Sequence, residues 1–228
     1  MPDTPRKEFP ADWPATQQSR LLKPLCRTLM AVTSNYKPEG TENFPEPPYI
    51  AVTNHLSYFD VPAMMACAPF GIVGLAARKY QHSWLAPMFA LTAVIWVTQF
   101  SADREALRAA QRVLEGGVPL GVAVEGTRSR SSKLAKGTDG ASFLATRTGV
   151  PLVPVGIWGT EKILKTPRPE THVRVGKPFR LPEGRARGDQ LSEYTERIMC
   201  AVAAMLPEAY HGHYAGNPLI EEMAQIVA

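Results

Sequence analysis

Apolar residues along this chain follow two different periods. Short apolar runs at 49–52 and 118–124 each stop abruptly at polar residues, the mark of strands buried on both faces, and 150–157 reads as a further strand. Between and around them the spacing turns helical. From Ser19, Leu21, Leu22, Leu25, Cys26, Leu29 and Met30 fall on one face of a helix over 19–34, with Arg20, Lys23 and Arg27 on another, and Pro24 starts or kinks it. Ala106, Leu107, Ala110, Val113 and Leu114 repeat likewise in a helix that Asp103 caps. Further helices are predicted over 139–147, ending at Gly149, and over 189–206, with Ile198, Val202, Met205 and Leu206 inward.

Two charge-free runs, 61–77 and 84–100, are 17 residues each, at the lower limit of roughly 17–25 for a membrane-spanning helix. Pro69-Phe70-Gly71 breaks the first and Pro87 the second. They read better as helix 61–68 with strand 71–76, and helix 83–91 with strand 93–98. The four prolines of 37–48 predict a loop, and His172 to Val175 an edge strand. Strands alternating with helices predict an α/β fold, a mostly parallel central sheet flanked by helices. Residues 1–18 read as a flexible arm, 19–214 as one domain and 215–228 as a tail.

Chemistry concentrates where strands stop. After 49–52 come Asn54, His55, Ser57 and Asp60; after 118–124 come Glu125, Gly126, Thr127, Arg128 and Arg130. Ligands of open α/β sheets bind beyond the carboxyl ends of strands. Imidazole suits general-base work near neutral pH, and a carboxylate on Nδ1 leaves Nε2 free to act. On one continuous helix, residues five apart diverge by ~140°, so His55 and Asp60 meet only across a turn, which Asn54 and Ser57 favour. Asp60 before Val61-Pro62 also reads as a plain helix cap.

The two clusters together resemble those of the phospholipid/glycerol acyltransferases. Asn54-His55 to Asp60 stands as their N-H-x-x-x-x-D, Glu125 to Arg128 as their E-G-T-R, and Val153-Pro154-Val155 as a later V-P-V. The resemblance runs from about residue 20 to about residue 214. It implies a glycerol-3-phosphate acyltransferase-like single domain with His55 as general base and Asp60 orienting it. Lys79 and Arg128 would bind the acceptor phosphate, with Glu125, Gly126 and Thr127 shaping that loop. The implied acceptor is 1-acyl-glycerol-3-phosphate, giving phosphatidate; the implied donor is acyl-CoA or acyl carrier protein, with no further cofactor. A peripheral place on the cytoplasmic face of the cell membrane follows. One departure stands out: Gln99 occupies a position where the family usually has arginine. It keeps other lysophospholipids or lipid hydroxyls open as acceptors, beside a catalytically silent membrane-binding domain of the same fold.

Composition narrows the rest. A chain of 228 residues, 45% hydrophobic and 20% charged, suits one domain that buries roughly 70% of its unfolded surface. Three widely spaced cysteines argue against disulfides or a zinc cluster and for a reducing compartment. The N-terminus has no apolar run after its charges, which predicts no secretory signal. A net charge of +4 admits an anionic membrane surface; no nucleic-acid-binding signature accompanies it, and none is expected as a partner. The basic stretches 129–137 and 161–170 read either as anion or headgroup sites or as solvated loops. The helix at 19–34 either lies in a membrane interface, basic flank toward headgroups, or packs on the domain. His211 and His213 lack the nearby carboxylate or cysteine a metal would want. No G-x-S-x-G elbow, Walker loop or G-x-G-x-x-G occurs.

Overall fold

The structure, a computed structural model, describes residues 13–83, 92–99, 103–184 and 186–228. Seven strands form one sheet in the order β1-β7-β6-β2-β5-β3-β4. They are β1 (Asn35–Glu39), β2 (Ile50–Thr53), β3 (Val73–Ala77), β4 (Val94–Val97), β5 (Leu120–Ala123), β6 (Leu152–Trp158) and β7 (Glu170–Val175). The helices are α1 (Trp13–Thr33), α2 (Asp60–Cys67), α3 (Arg104–Glu115), α4 (Gly140–Thr148), α5 (Asp189–Ala204) and α6 (Leu219–Val227). Five strands, β6-β2-β5-β3-β4, run parallel, so all five deliver their carboxyl ends to one edge. β7 is antiparallel to β6, and β1 is parallel to β7.

Period-2 alternation along the central strands divides the core between the two faces. Ile50 and Val52, with Leu152 of β6, point toward Leu144, Ile198 and Met199 in the layer built from α3 to α6. Tyr49 and Ala51 point the other way with Val153, Val155 and Val173, against Met30 and Cys26 of α1 and Ala63 and Cys67 of α2. Gly156 lets α5 close onto β6, since a Cβ there would lie 2.6 Å from the Met205 carbonyl oxygen. All three cysteines are buried thiols.

Four expectations change. The 37–48 segment, expected as a loop, begins with β1, whose backbone pairs Lys37 with His172 and Glu39 with Arg174. Prolines hid it: an outermost strand uses one side of its backbone for pairing, so Pro38 is tolerated. β7 therefore lies inside the sheet and is not an edge. α1 begins at Trp13, within the span read as an arm, whose residues 1–12 lie outside the described residues. The 215–228 segment is not a loose tail: α6 buries Met223 and Val227 against α5. The helix expected over 83–91 falls almost wholly outside the described residues.

α1 settles against α2, and a lysine and an arginine reach across to it. Lys23 Nζ donates to Ala68 O at 2.7 Å and Arg27 Nε to Ala66 O at 3.0 Å, placing both cations on the carbonyl end of α2. Burial, and then Arg27 beside it, holds the Lys23 amine below its usual range. Each side chain thus spends one donor on α2, Arg27 remaining exposed, and Leu25, Leu29 and Val32 are exposed beside them. Among the described residues no helix is long and apolar enough to cross a membrane.

Candidate active site

The chain turns sharply after β2, and that turn makes the site. Asn54 ends the strand by bridging to β6: its Nδ2 donates to Ile157 O at 2.7 Å and its Oδ1 accepts from Ile157 N at 2.9 Å. Its amide thus ties two strands at the point where the 54–60 turn leaves the sheet. Five residues on, the Asp60 carboxylate reaches back over the turn. Its Oδ2 accepts from Leu56 N at 2.6 Å and Ser57 N at 2.8 Å, and lies 2.7 Å from His55 Nδ1. Oδ1 accepts from Thr160 Oγ1, which arrives from the end of β6. Asp60 is the first residue of α2 and is buried, while the cap position falls on Phe59. The plain cap reading fails on this geometry, because the carboxylate organises the turn before the helix.

The second strand-end cluster supports the first. Glu125, also buried, accepts from His55 N at 3.1 Å on Oε1 and from Ala135 N at 2.9 Å on Oε2. Burial pushes its carboxyl up, partly offset by those two N–H bonds. Ser129 N donates to His55 O at 2.8 Å, so the His55 backbone is held at both its N–H and its C=O by the 125–129 segment. Gly126 adopts a φ of 68°, a left-handed turn that glycine favours. The 129–137 stretch, read as an anion or headgroup site or a solvated loop, is pinned: Leu134 is buried and pairs with Tyr210, and Ser129 Oγ donates to Lys133 O at 2.7 Å.

His55 opens onto a cavity of about 660 Å³. Lys79, Gly126, Thr127 and Arg128 line it as well, whereas Asp60 and Glu125 lie behind His55 and do not. Three cations, Lys79, Arg128 and Arg130, line it, together with two carboxylates, Asp103 and Asp139. Most of the lining is apolar and includes Leu75, Val97, Leu107, Val122, Phe143 and Leu191. The combination accommodates an anionic head and an alkyl chain together. Gln99 also lines the cavity, but its Nε2 donates to Gly126 O at 2.8 Å. Arg104, the residue nearest in sequence with a matching charge, is exposed on α3 and does not line the cavity.

Sequence reasoning missed Thr160, Tyr58 and Tyr80, and placed Arg130 in the strand-end cluster without giving it a role. Thr160 carried a signal: it closely follows the V-P-V strand, which turns out to neighbour β2. Tyr58 sits inside the His55–Asp60 motif at a position whose side chain the motif leaves open. Elsewhere, His211 Nε2 lies against Leu206 O at 3.1 Å and His213 packs edge-on against Tyr214. Among the described residues no group of three or more His, Cys, Asp or Glu converges as a metal would require.

A histidine backed by a buried carboxylate thus stands at the carboxyl edge of a parallel sheet, beside a largely apolar cavity whose lining includes three cations. The sequence model described as Acyltransferase matches residues 35–158, which include both motifs. The chain belongs to the acyltransferase family. It is similar to the 1-acyl-sn-glycerol-3-phosphate acyltransferase BAT2 of Brassica napus, 25% identical over 56% of this chain and 38% of that protein. It is 28% identical to a counterpart in Chlamydomonas reinhardtii over 74% of this chain and 52% of that one. The human alpha enzyme is 30% identical over 51% of this chain and 43% of its own length. The chain thus matches about half the length or less of these relatives. The solved 1-acyl-sn-glycerophosphate acyltransferase PlsC of Thermotoga maritima superposes with a TM-score of 0.63 at 25% identity, over 79% of this chain and 76% of that one.

Proposed function

We propose that this protein is an O-acyltransferase that moves a fatty acyl group from acyl-CoA or acyl carrier protein to the free hydroxyl of 1-acyl-glycerol-3-phosphate, forming phosphatidate. The observation that carries the reading is the His55 Nδ1 to Asp60 Oδ2 contact of 2.7 Å at the wall of the cavity. With Nδ1 engaged by a carboxylate, Nε2 is the nitrogen left to take the proton of the acceptor hydroxyl. The hydroxyl oxygen then attacks the thioester carbonyl carbon, and the tetrahedral intermediate collapses by breaking the carbon–sulfur bond. The thiolate leaves and takes the proton back from His55. No acyl-enzyme is required, because the thioester is already activated.

In this reading Arg128 and Lys79 hold the acceptor phosphate and the apolar wall receives an acyl chain. The enzyme works peripherally at the cytoplasmic face of the cell membrane, where its acceptor resides. The relatives' names favour 1-acyl-glycerol-3-phosphate, while the engaged amide of Gln99, in place of a free arginine, favours testing other lysophospholipids beside it. The test is a transfer assay with purified full chain, both donors and a panel of lysophospholipid acceptors. Turnover is expected with the phosphomonoester acceptor and none with His55→Ala. Transfer by wild type and His55→Ala alike, or by neither, overturns the reading.

A further inference from the structure

Leu164 is the most exposed large hydrophobic residue of the described chain, at 86%. It stands at the tip of the segment that follows β6, with exposed Lys162, Lys165 and Arg168 around it. The segment is braced at both ends. Ile163 and Pro169 are buried, and Lys165 N and Thr166 N both donate to Lys162 O, at 2.8 and 2.9 Å, closing a tight turn that turns Leu164 outward. The neighbouring carboxylates point elsewhere: Glu161 accepts from the Tyr210 hydroxyl at 2.9 Å, and Glu170 pairs with Lys37. A lone leucine thus projects from a locally cationic loop.

The fold sets this loop beside the active site. Thr160, at its start, donates to Asp60, and β6 runs parallel to β2, so the loop leaves the sheet at the same edge as His55. Its far end meets the start of β1, just after α1, where Asn35 N donates to Pro169 O at 2.9 Å. Val32, 65% exposed, and Leu29 lie in that last stretch of α1, and Val61, also exposed, in the first turn of α2. The apolar fringe and the basic loop occupy the edge of the sheet where the cavity's motif residues emerge.

We propose that residues 160–169 form the membrane-docking loop of this protein: Leu164 enters the acyl region of an anionic bilayer while Lys162, Lys165 and Arg168 pair with headgroup phosphates. Charge complementarity selects the occupant, since an apolar tip inside a ring of cations matches the layered order of an anionic lipid surface. Docking there sets the His55–Asp60 pair at the interface, where a lipid acceptor reaches it without leaving the bilayer. The inference rests on the reading that the acceptor is a membrane lipid, and it assigns the contact surface to a loop separate from α1.

The test sediments the full chain with vesicles of phosphatidylcholine alone or mixed with phosphatidylglycerol, at low and raised salt. Lys165→Glu is expected to weaken binding to the mixed vesicles by about ten-fold or more, since each cation at an anionic surface is worth roughly five-fold and reversal adds repulsion. Leu164→Ser should weaken it by roughly ten-fold at both salt levels, because apolar insertion is not screened. Arg108→Glu, an exposed change on α3, serves as the net-charge control and is expected to stay near wild type. Binding by Leu164→Ser and Lys165→Glu equal to that of Arg108→Glu overturns the proposal. The acyl-transfer reading is checked separately with detergent-dispersed acceptor, on which the loop variants are expected to turn over like wild type. Absence of transfer by wild type would sink that reading and leave the vesicle result standing.

Discussion

The guanidinium of Arg128 lies 4.1 Å above the centre of the Tyr58 ring. Tyr58 in turn meets Tyr80 edge to face at 6.3 Å, and Lys79 Nζ lies 5.2 Å from the Tyr80 ring centre. The Tyr80 hydroxyl, and after it Arg128, hold the Tyr58 phenol below its usual range. Two cations of the cavity are thereby ordered on a pair of tyrosines before any ligand arrives. Fixing a long cationic side chain in advance removes part of the entropy that binding would otherwise cost.

Arg128 is expected to act on the acceptor and not on the donor. A charge-assisted, two-pronged contact to phosphate is worth roughly 1.5–3 kcal/mol, so Arg128→Ala should cost ~10–150-fold in acceptor kcat/KM. Arg128→Lys should recover part of this, because an ammonium lacks the planar fork. Lys79→Ala should act in the same direction, more weakly. Steady-state kinetics with phosphorylated and dephosphorylated acceptors check it; an equal penalty on both would make Arg128 structural.

Tyr58 should matter through its ring. A cation–π contact at an exposed site is worth about 0.5–1 kcal/mol, which predicts about a 2–5-fold rise in acceptor KM for Tyr58→Leu. Tyr58→Phe keeps the ring face and is expected to stay close to wild type. The donor KM and the unfolding midpoint should hardly move in either variant. If Tyr58→Phe lost as much as Tyr58→Leu, the hydroxyl contact to Tyr80 would be the controlling interaction.

Much of this site was legible in the sequence because strand ends are local signals. The runs at 49–52 and 118–124, which form strands Ile50–Thr53 and Leu120–Ala123, placed His55 and Glu125 at strand ends, and both short motifs lie close behind them. What escaped the reading depends on pairing between distant segments. β1 was hidden because Pro38 argues against a strand until its outermost position is known. Thr160 acquires its role only because β6 lies beside β2, bringing it 100 residues across the chain to Asp60. The contacts of Lys23 and Arg27 depend on the end of α2, which helical periodicity in α1 does not encode.

The His55–Asp60 pair predicts a split between rate and affinity. Asp60→Asn should lower kcat by up to ~10⁴-fold, the scale seen when the carboxylate behind a catalytic imidazole is replaced by an amide, with donor KM little changed. The amide keeps one oxygen to accept from the turn but offers an N–H where a carboxylate oxygen accepted, so some stability is lost too. Thr160→Val removes one donor to Oδ1 and is expected to lower kcat more mildly. Near-normal turnover with lost stability in Asp60→Asn would make the carboxylate a brace for the turn and nothing more.

Glu125 yields a prediction in pH. Burial raises its carboxyl pKa in the folded protein above the ordinary value of 4.5. The native state then holds this proton more readily than the unfolded chain does. Stability contributed by this group is fully present below pH 4.5 and is lost as pH rises from there through the folded pKa. Glu125→Gln cannot titrate, so the stability of wild type relative to the variant should decline as pH rises from about 4 to 7. Urea unfolding of both proteins across that range measures the difference and cancels the titration of every other group. A difference that grew with pH would mean that the N–H bonds from His55 and Ala135 outweigh burial. Because Glu125 ties the His55 backbone to the 135 loop, the variant should also lose turnover at neutral pH by displacing His55.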